Sequence, residues 1–135
     1  MDITIRPQAH WFNGHKVSIA LGEHGTAKVD QKTWTAEELR LFNLREAMSY
    51  SGRRGYPGTY TRLFIRKSLD RPFSDWDLMM SDTPDEIRDH FPAQHGATGN
   101  VLIGGLGLGV VLSWCLKKPG VTRIDVVEKN PDVIA

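Results

Sequence analysis

The sequence holds a single cysteine, Cys115, so no disulfide can close within the chain. No apolar run approaches the ~20 residues that a membrane-spanning helix needs. The first twenty residues lack the basic-then-apolar order of a secretory signal. One cysteine and no export signal point to a reducing cytoplasm. No Cys/His spacing suits zinc, so no metal site is expected. His10 and His15, like His90 and His95, stand five residues apart and share no helical face. Neither GxSxG nor a P-loop lysine pattern occurs. Internal repeats and low-complexity segments are absent as well. What is left is an ordinary soluble composition, 40% hydrophobic and 24% charged, in 135 residues. That length suits one domain or one domain with a small appendage.

The formal net charge of +1 hides an asymmetry. Residues 1–70 carry 11 Lys+Arg against 7 Asp+Glu, whereas residues 71–135 carry 6 against 9. The densest basic stretch, RRGYPGTYTRLFIRK, holds Arg53, Arg54, Arg62, Arg66 and Lys67 without an acid. Tyr56, Tyr60 and Phe64 interleave these charges. A solvated loop and strand face has this pattern, and so does a contact for nucleic acid.

The N-terminal part reads as a small antiparallel β unit. Ile3 and Ile5 suggest a first strand. Asn13-Gly14 is a hairpin-turn dipeptide. Val17, Ile19 and Leu21 alternate as in a half-buried strand. GEHG reads as the next turn and TAKV as another strand. Thr35-Ala-Glu-Glu38 is a capping box. Leu41, Leu44, Ala47 and Met48 recur at helical spacing, and Gly52 stops a helix expected over about 36–50. Pro57-Gly58 is a turn, Thr59 to Lys67 a strand, and Trp76 to Met80 a short strand. Thr83 as N-cap and Pro84 at the first position then start a helix that ends near Phe91-Pro92. The domain boundary is placed between residues 75 and 76.

From Asn100 the pattern changes. Val101-Leu102-Ile103 is an uninterrupted apolar run, as in a strand covered on both faces. The glycines of GGLGLG follow at once. Val110, Val111, Leu112, Trp114 and Leu116 suggest a largely buried helix, with Cys115 packed inside it. Lys117 and Lys118 suit its last turn. Val121 to Val127 is a second strand that ends at Glu128, and Asn130-Pro131-Asp132 is another helix start. Glycines let the backbone turn sharply and approach a ligand. A helix N-terminus offers free N–H groups, and a carboxylate after the second strand can accept both hydroxyl protons of a ribose. Gly109 and Glu128 lie 19 residues apart, near the ~20 expected of a nucleotide-binding strand–helix–strand unit. The glycine spacing discriminates further. Counted from Gly105 or Gly107, the third glycine of GxGxxG would fall at Val110 or Leu112. Gly105-x-Gly107-x-Gly109 is what stands there.

That form resembles the first motif of class I S-adenosylmethionine-dependent methyltransferases. VLIGGLGLGVVLSWCLKKPGVTRIDVVEKNPDVI is similar, more narrowly, to the matching segment of spermidine synthases and related aminopropyltransferases. The MSDTP segment ahead of the loop also resembles that of compact bacteriophage methyltransferase-like proteins. The resemblance spans roughly Trp76 to Ala135. It implies an α/β fold, the first part of a Rossmann-like methyltransferase domain over residues 76–135, preceded by a small α+β region over residues 1–75. It implies S-adenosylmethionine as cofactor, with Gly105, Leu106, Gly107 and Gly109 in the cofactor loop and Glu128 as the ribose-binding acid. Ile103 stands where many methyltransferases have an acid, as in the aminopropyltransferase pattern.

Ser81 and Asp82 are the candidates for contacting a substrate. No residue can be given the duty of a catalytic base. The family fold continues with further strands, so a truncated protein is the plainest reading. A second chain covering the open sheet edges is another. Two other functions are kept beside the transferase reading: a fragment of a dinucleotide-binding oxidoreductase, and a nucleic-acid-binding module using residues 53–67.

Overall fold

A computed structural model describes residues 16–67 and 76–134. The expected strand at Ile3 and Ile5 and the Asn13-Gly14 hairpin lie outside the described residues. The fold is mixed α/β. Its first half is a four-stranded antiparallel sheet, β1 (Gly22–His24), β2 (Ala27–Trp34), β3 (Gly58–Ile65) and β4 (Asp77–Ser81), in that spatial order. The hairpin between β1 and β2 turns on Gly25 and Thr26, with His24 paired to Ala27. Gly25 has φ +56, a conformation open to glycine at little cost.

This corrects two expectations. GEHG is not a turn, because its first three residues form β1. Residues 17–21 are not in a strand, and Ile19 and Leu21 are exposed. Their alternation is overridden because the segment is anchored elsewhere. The Val17 N–H donates to the Asp82 carboxylate at 3.1 Å, and Lys16 Nζ donates to the Thr59 carbonyl at 2.9 Å.

Strand β2 runs through Trp34, well past the expected TAKV. Two of its polar residues, Asp30 and Thr33, have side-chain partners across the ladder. Arg62 donates to both oxygens of Asp30 at 2.8 Å, and the hydroxyls of Thr33 and Thr59 are 2.8 Å apart. On the opposite face Val29 pairs with Leu63 and Ala27 with Ile65, and these residues belong to or pack on the core.

Helix α1 (Ala36–Met48) starts with the expected capping box. Thr35 Oγ1 accepts from the Glu38 N–H at 3.2 Å, and Glu38 accepts from the Thr35 N–H at 2.8 Å. The residues at helical spacing are not the ones it buries. Leu41, Leu44 and Met48 are exposed, and Leu39 is the buried residue. The orientation is set by Asn43, whose amide grips both the N–H and the carbonyl of Gly55, at 2.7 and 3.0 Å. Leu39 then lies against Gly55.

The second half begins with two short helices, α2 (Pro84–Asp89) and α3 (Phe91–Gly96), where one was expected. Thr83 is the N-cap of α2 by backbone conformation, but its hydroxyl makes no cap bond and lies 2.9 Å from that of Ser81. The strands β5 (Gly99–Gly104) and β6 (Val121–Val127) then pair in parallel, linked through helix α4 (Val110–Leu116), and α5 (Pro131–Ile134) follows. Lys118 donates to the carbonyls of Gln94 and His95, which ties α3 to the end of α4.

Val101 to Ile103 is not covered on both faces. Exposure alternates along β5, and Leu102 is 73% exposed, beside an exposed Val127 on β6. Helix α4 buries Val110 and Cys115 but leaves Leu116 exposed.

One core joins the halves. Ala27, Tyr60 and Leu63 of the antiparallel sheet pack with Ile87, Leu108 and Val110. Because β4 is an edge strand of that same sheet, the expected division at residues 75 and 76 runs through the sheet. No helix among the described residues is long and apolar enough to cross a membrane.

Candidate functional site

The glycine loop leaves β5 and turns back on itself within five residues. The Gly105 N–H donates to the Val127 carbonyl at 2.7 Å, continuing the β5–β6 ladder one step. Leu106 N–H donates to Glu128 Oε2 at 2.7 Å, and Gly109 N–H to the Leu106 carbonyl at 2.9 Å. Gly105, Gly107 and Gly109 have φ of +92°, +53° and +75°. The alternate-glycine spacing thus matches three left-handed positions, with Leu106 and Leu108 between them.

Gly107 carries a second constraint. A Cβ there would lie 2.6 Å from Met80 Sδ, which also accepts the Leu108 N–H at 3.3 Å. Met80 of β4 therefore holds the loop against the antiparallel sheet, a contact with no signal in local sequence pattern. Gly107→Ala is expected to destabilise the fold by about 1–3 kcal/mol, from the left-handed backbone and the displaced Met80 together. Equilibrium denaturation measures this, and pairing the change with Met80→Ala should recover the steric part.

Glu128 sits just past the end of β6, where the sequence placed it. Its Oε2 takes the Leu106 N–H and its Oε1 takes the Asn130 N–H at 2.8 Å. These bonds, the one from Asn130 foremost, hold its carboxyl below the usual carboxylate range. The group is therefore charged at neutral pH. Each oxygen keeps a further lone pair for an incoming donor. Asn130 starts the last helix as expected, its Oδ1 accepting the Asp132 N–H at 2.9 Å. Asp132 in turn accepts the N–H and hydroxyl of Thr26, at 2.9 and 2.7 Å. The β1–β2 turn is thus hydrogen-bonded, through Asp132 and Asn130, to the segment that carries Glu128. The NPD triplet was read only as a helix start, and its long-range partner was not legible.

Loop and acid open on one cleft of about 950 Å³, lined by Gly104 to Gly107, Glu128 to Pro131, and Arg66, Lys67, Met80, Glu86 and His90. A Cβ at Gly104 or Gly105 would meet nothing within 4 Å, so ligand atoms can approach the backbone there. The expected loop contacts are narrower than the sequence suggested. The N–H groups of Gly105, Leu106, Leu108 and Gly109 are already taken up within the chain. A second cleft of about 600 Å³ lies beside the first, lined by residues 17–24, Leu106 to Gly109, Leu112 and Val133.

The structure does not bring Ser81 and Asp82 to this cleft. Asp82 is 1% exposed, and its oxygens accept from the N–H groups of Val17 and Thr61, the latter at 2.7 Å. Ser81 is also buried; its N–H and hydroxyl donate to Glu86 at 2.8 and 3.0 Å. Ser81 lines a separate pocket of about 270 Å³ walled by Trp34, Phe42, Tyr56 and Tyr60.

The basic stretch does not form one patch. Arg53 pairs with Asp89 at 3.0 Å, and Arg62 with Asp30. The Arg54 N–H donates to Asp85. Tyr60 is buried, and its hydroxyl donates to the Tyr56 carbonyl at 2.8 Å. Only Arg66 and Lys67 of this set line the glycine-loop cleft. Comparison of the chain with protein-family models, curated proteins and solved structures returned no match.

Proposed function

We propose that the chain is an S-adenosylmethionine-binding protein of the class I methyltransferase type, with β5–α4–β6 as the first unit of a Rossmann-like domain. One observation carries this reading: Glu128 reaches the glycine loop through the Leu106 N–H and lines the same cleft. A charged carboxylate beside a glycine turn is the arrangement that grips a ribose while letting the rest of a nucleoside lie on the backbone. The donor set suits the cofactor. Glu128 offers acceptors to the two ribose hydroxyls, and the open faces of Gly104 and Gly105 leave room for close approach.

When bound, S-adenosylmethionine supplies a carbon activated for transfer by its sulfonium. The chain's own contribution is to bind and orient. Transfer of a methyl group depends mainly on such alignment. Aminopropyl transfer would require, besides alignment, proton removal from an amine. The glycine spacing disfavours the dinucleotide reading.

The test is calorimetric titration of the folded 135-residue chain with S-adenosylmethionine and, separately, NAD. Selective binding of the first is expected. Equal binding of both, or binding of NAD alone, would contradict the proposal.

A further inference from the structure

We infer that Arg66 makes the cleft selective for a donor that carries a carboxylate, that is, for S-adenosylmethionine over its decarboxylated form. The inference rests on the cofactor reading above and concerns the cations that line the same cleft. Arg66, Lys67 and Lys129 all line it, and no acid of the described residues forms an ion pair with any of them. The two carboxylates of the cleft are engaged by N–H groups instead. Three cations against two carboxylates leave the walls with a small net positive charge.

Arg66 is also held in place. Its backbone N–H donates to the Thr26 carbonyl at 3.0 Å, its Nη2 to the Gly25 carbonyl at 3.2 Å, and its guanidinium lies 4.7 Å from the centre of the Trp76 ring. Its Nε–H is buried and has no acceptor. A carboxylate is the best-matched partner for a guanidinium held in this way.

S-adenosylmethionine ends in an amino acid whose carboxylate can meet this guanidinium. The decarboxylated donor ends in an ammonium and carries two positive charges and no negative one. The same cations that attract the first repel the second. Arg66 is thus a specificity-determining residue at the tail of the ligand, as Glu128 is at the ribose.

Calorimetric titration of the wild-type chain with each donor tests this. S-adenosylmethionine should bind at least about tenfold more tightly than the decarboxylated donor, the scale of one charged hydrogen bond. Arg66→Met should weaken S-adenosylmethionine by about that factor, leave the decarboxylated donor unchanged or improved, and so abolish the preference. Arg66→Lys should restore part of it. Circular dichroism and a melting curve establish that each variant is folded; if Arg66→Met fails to fold, the wild-type preference and Arg66→Lys decide. Equal wild-type affinity for the two donors, or a preference that survives Arg66→Met, overturns the role of Arg66 and leaves the cofactor assignment standing. A folded wild-type chain that binds neither donor overturns the cofactor assignment and this inference with it.

Discussion

Asp82→Ala is expected to destabilise the protein by about 3 kcal/mol at neutral pH, from two backbone N–H groups left without an acceptor. Asp82 is buried, and its two oxygens join three separate pieces of chain: the segment at Val17, strand β3 at Thr61, and the end of β4. Its backbone is fixed too, since the Asp82 N–H donates to the Thr61 carbonyl at 3.1 Å. Removing the carboxylate therefore leaves the Val17 segment, one wall of the cleft of about 600 Å³, held by the Lys16 bond to Thr59 and by Val17 packing. Asp82→Asn, which keeps one acceptor, should cost about half as much.

The pH dependence has a definite sign. Burial is the main influence on Asp82 and pushes its carboxyl above the ordinary aspartate value, against the opposing pull of the two N–H groups. An acid with a raised folded pKa binds its proton more tightly in the native state than in the unfolded one. Its contribution to stability is full below the unfolded value and falls as pH rises through the folded value. Asp82→Asn should lack that decline. Urea denaturation of both proteins from pH 3 upward would show it, and parallel curves over the window between the ordinary and the raised pKa would contradict it.

The second large effect is expected at Glu128. Glu128→Ala should weaken S-adenosylmethionine by about 100-fold, the scale of two charged hydrogen bonds to the ribose. It should also release the Leu106 and Asn130 amides, which then exchange with solvent faster. Glu128→Gln keeps the shape but can offer an acceptor from only one side, so it should fall between wild type and alanine. Undiminished binding by Glu128→Ala would remove the ribose assignment. Faster exchange without any loss of affinity would leave Glu128 as a clamp on the loop and nothing more.

The second half of the chain was the more legible. Strand β6 was expected at Val121 to Val127 and is found there, because the β-branched residues Val121, Thr122, Ile124, Val126 and Val127, set between Pro119-Gly120 and Glu128-Lys129, admit few alternatives. The glycine loop was read correctly as a turn, since alternate glycines announce alternate left-handed residues. What escaped were relations between distant residues. Helical spacing of Leu41, Leu44 and Met48 marked α1 as a helix but not which side it buries, which the Asn43 grip on Gly55 sets. The basic run of residues 53–67 looked like a free surface until Asp30 and Asp89, from other elements, came to meet it. Met80 read as a strand residue, and its sulfur proved to seat the loop. Local pattern fixes elements and turns, whereas partners some tens of residues away depend on how the sheet stacks on the loop.

The most direct measurement is amide mapping by NMR on the folded, ¹⁵N-labelled chain. S-adenosylmethionine should shift the amides of Leu106 and Asn130, the two that Glu128 holds, together with Gly104 and Gly105, and NAD at the same concentration should not. Shifts confined to other surfaces, or none in a chain that is demonstrably folded, would contradict the claim that loop and acid form one cofactor cleft.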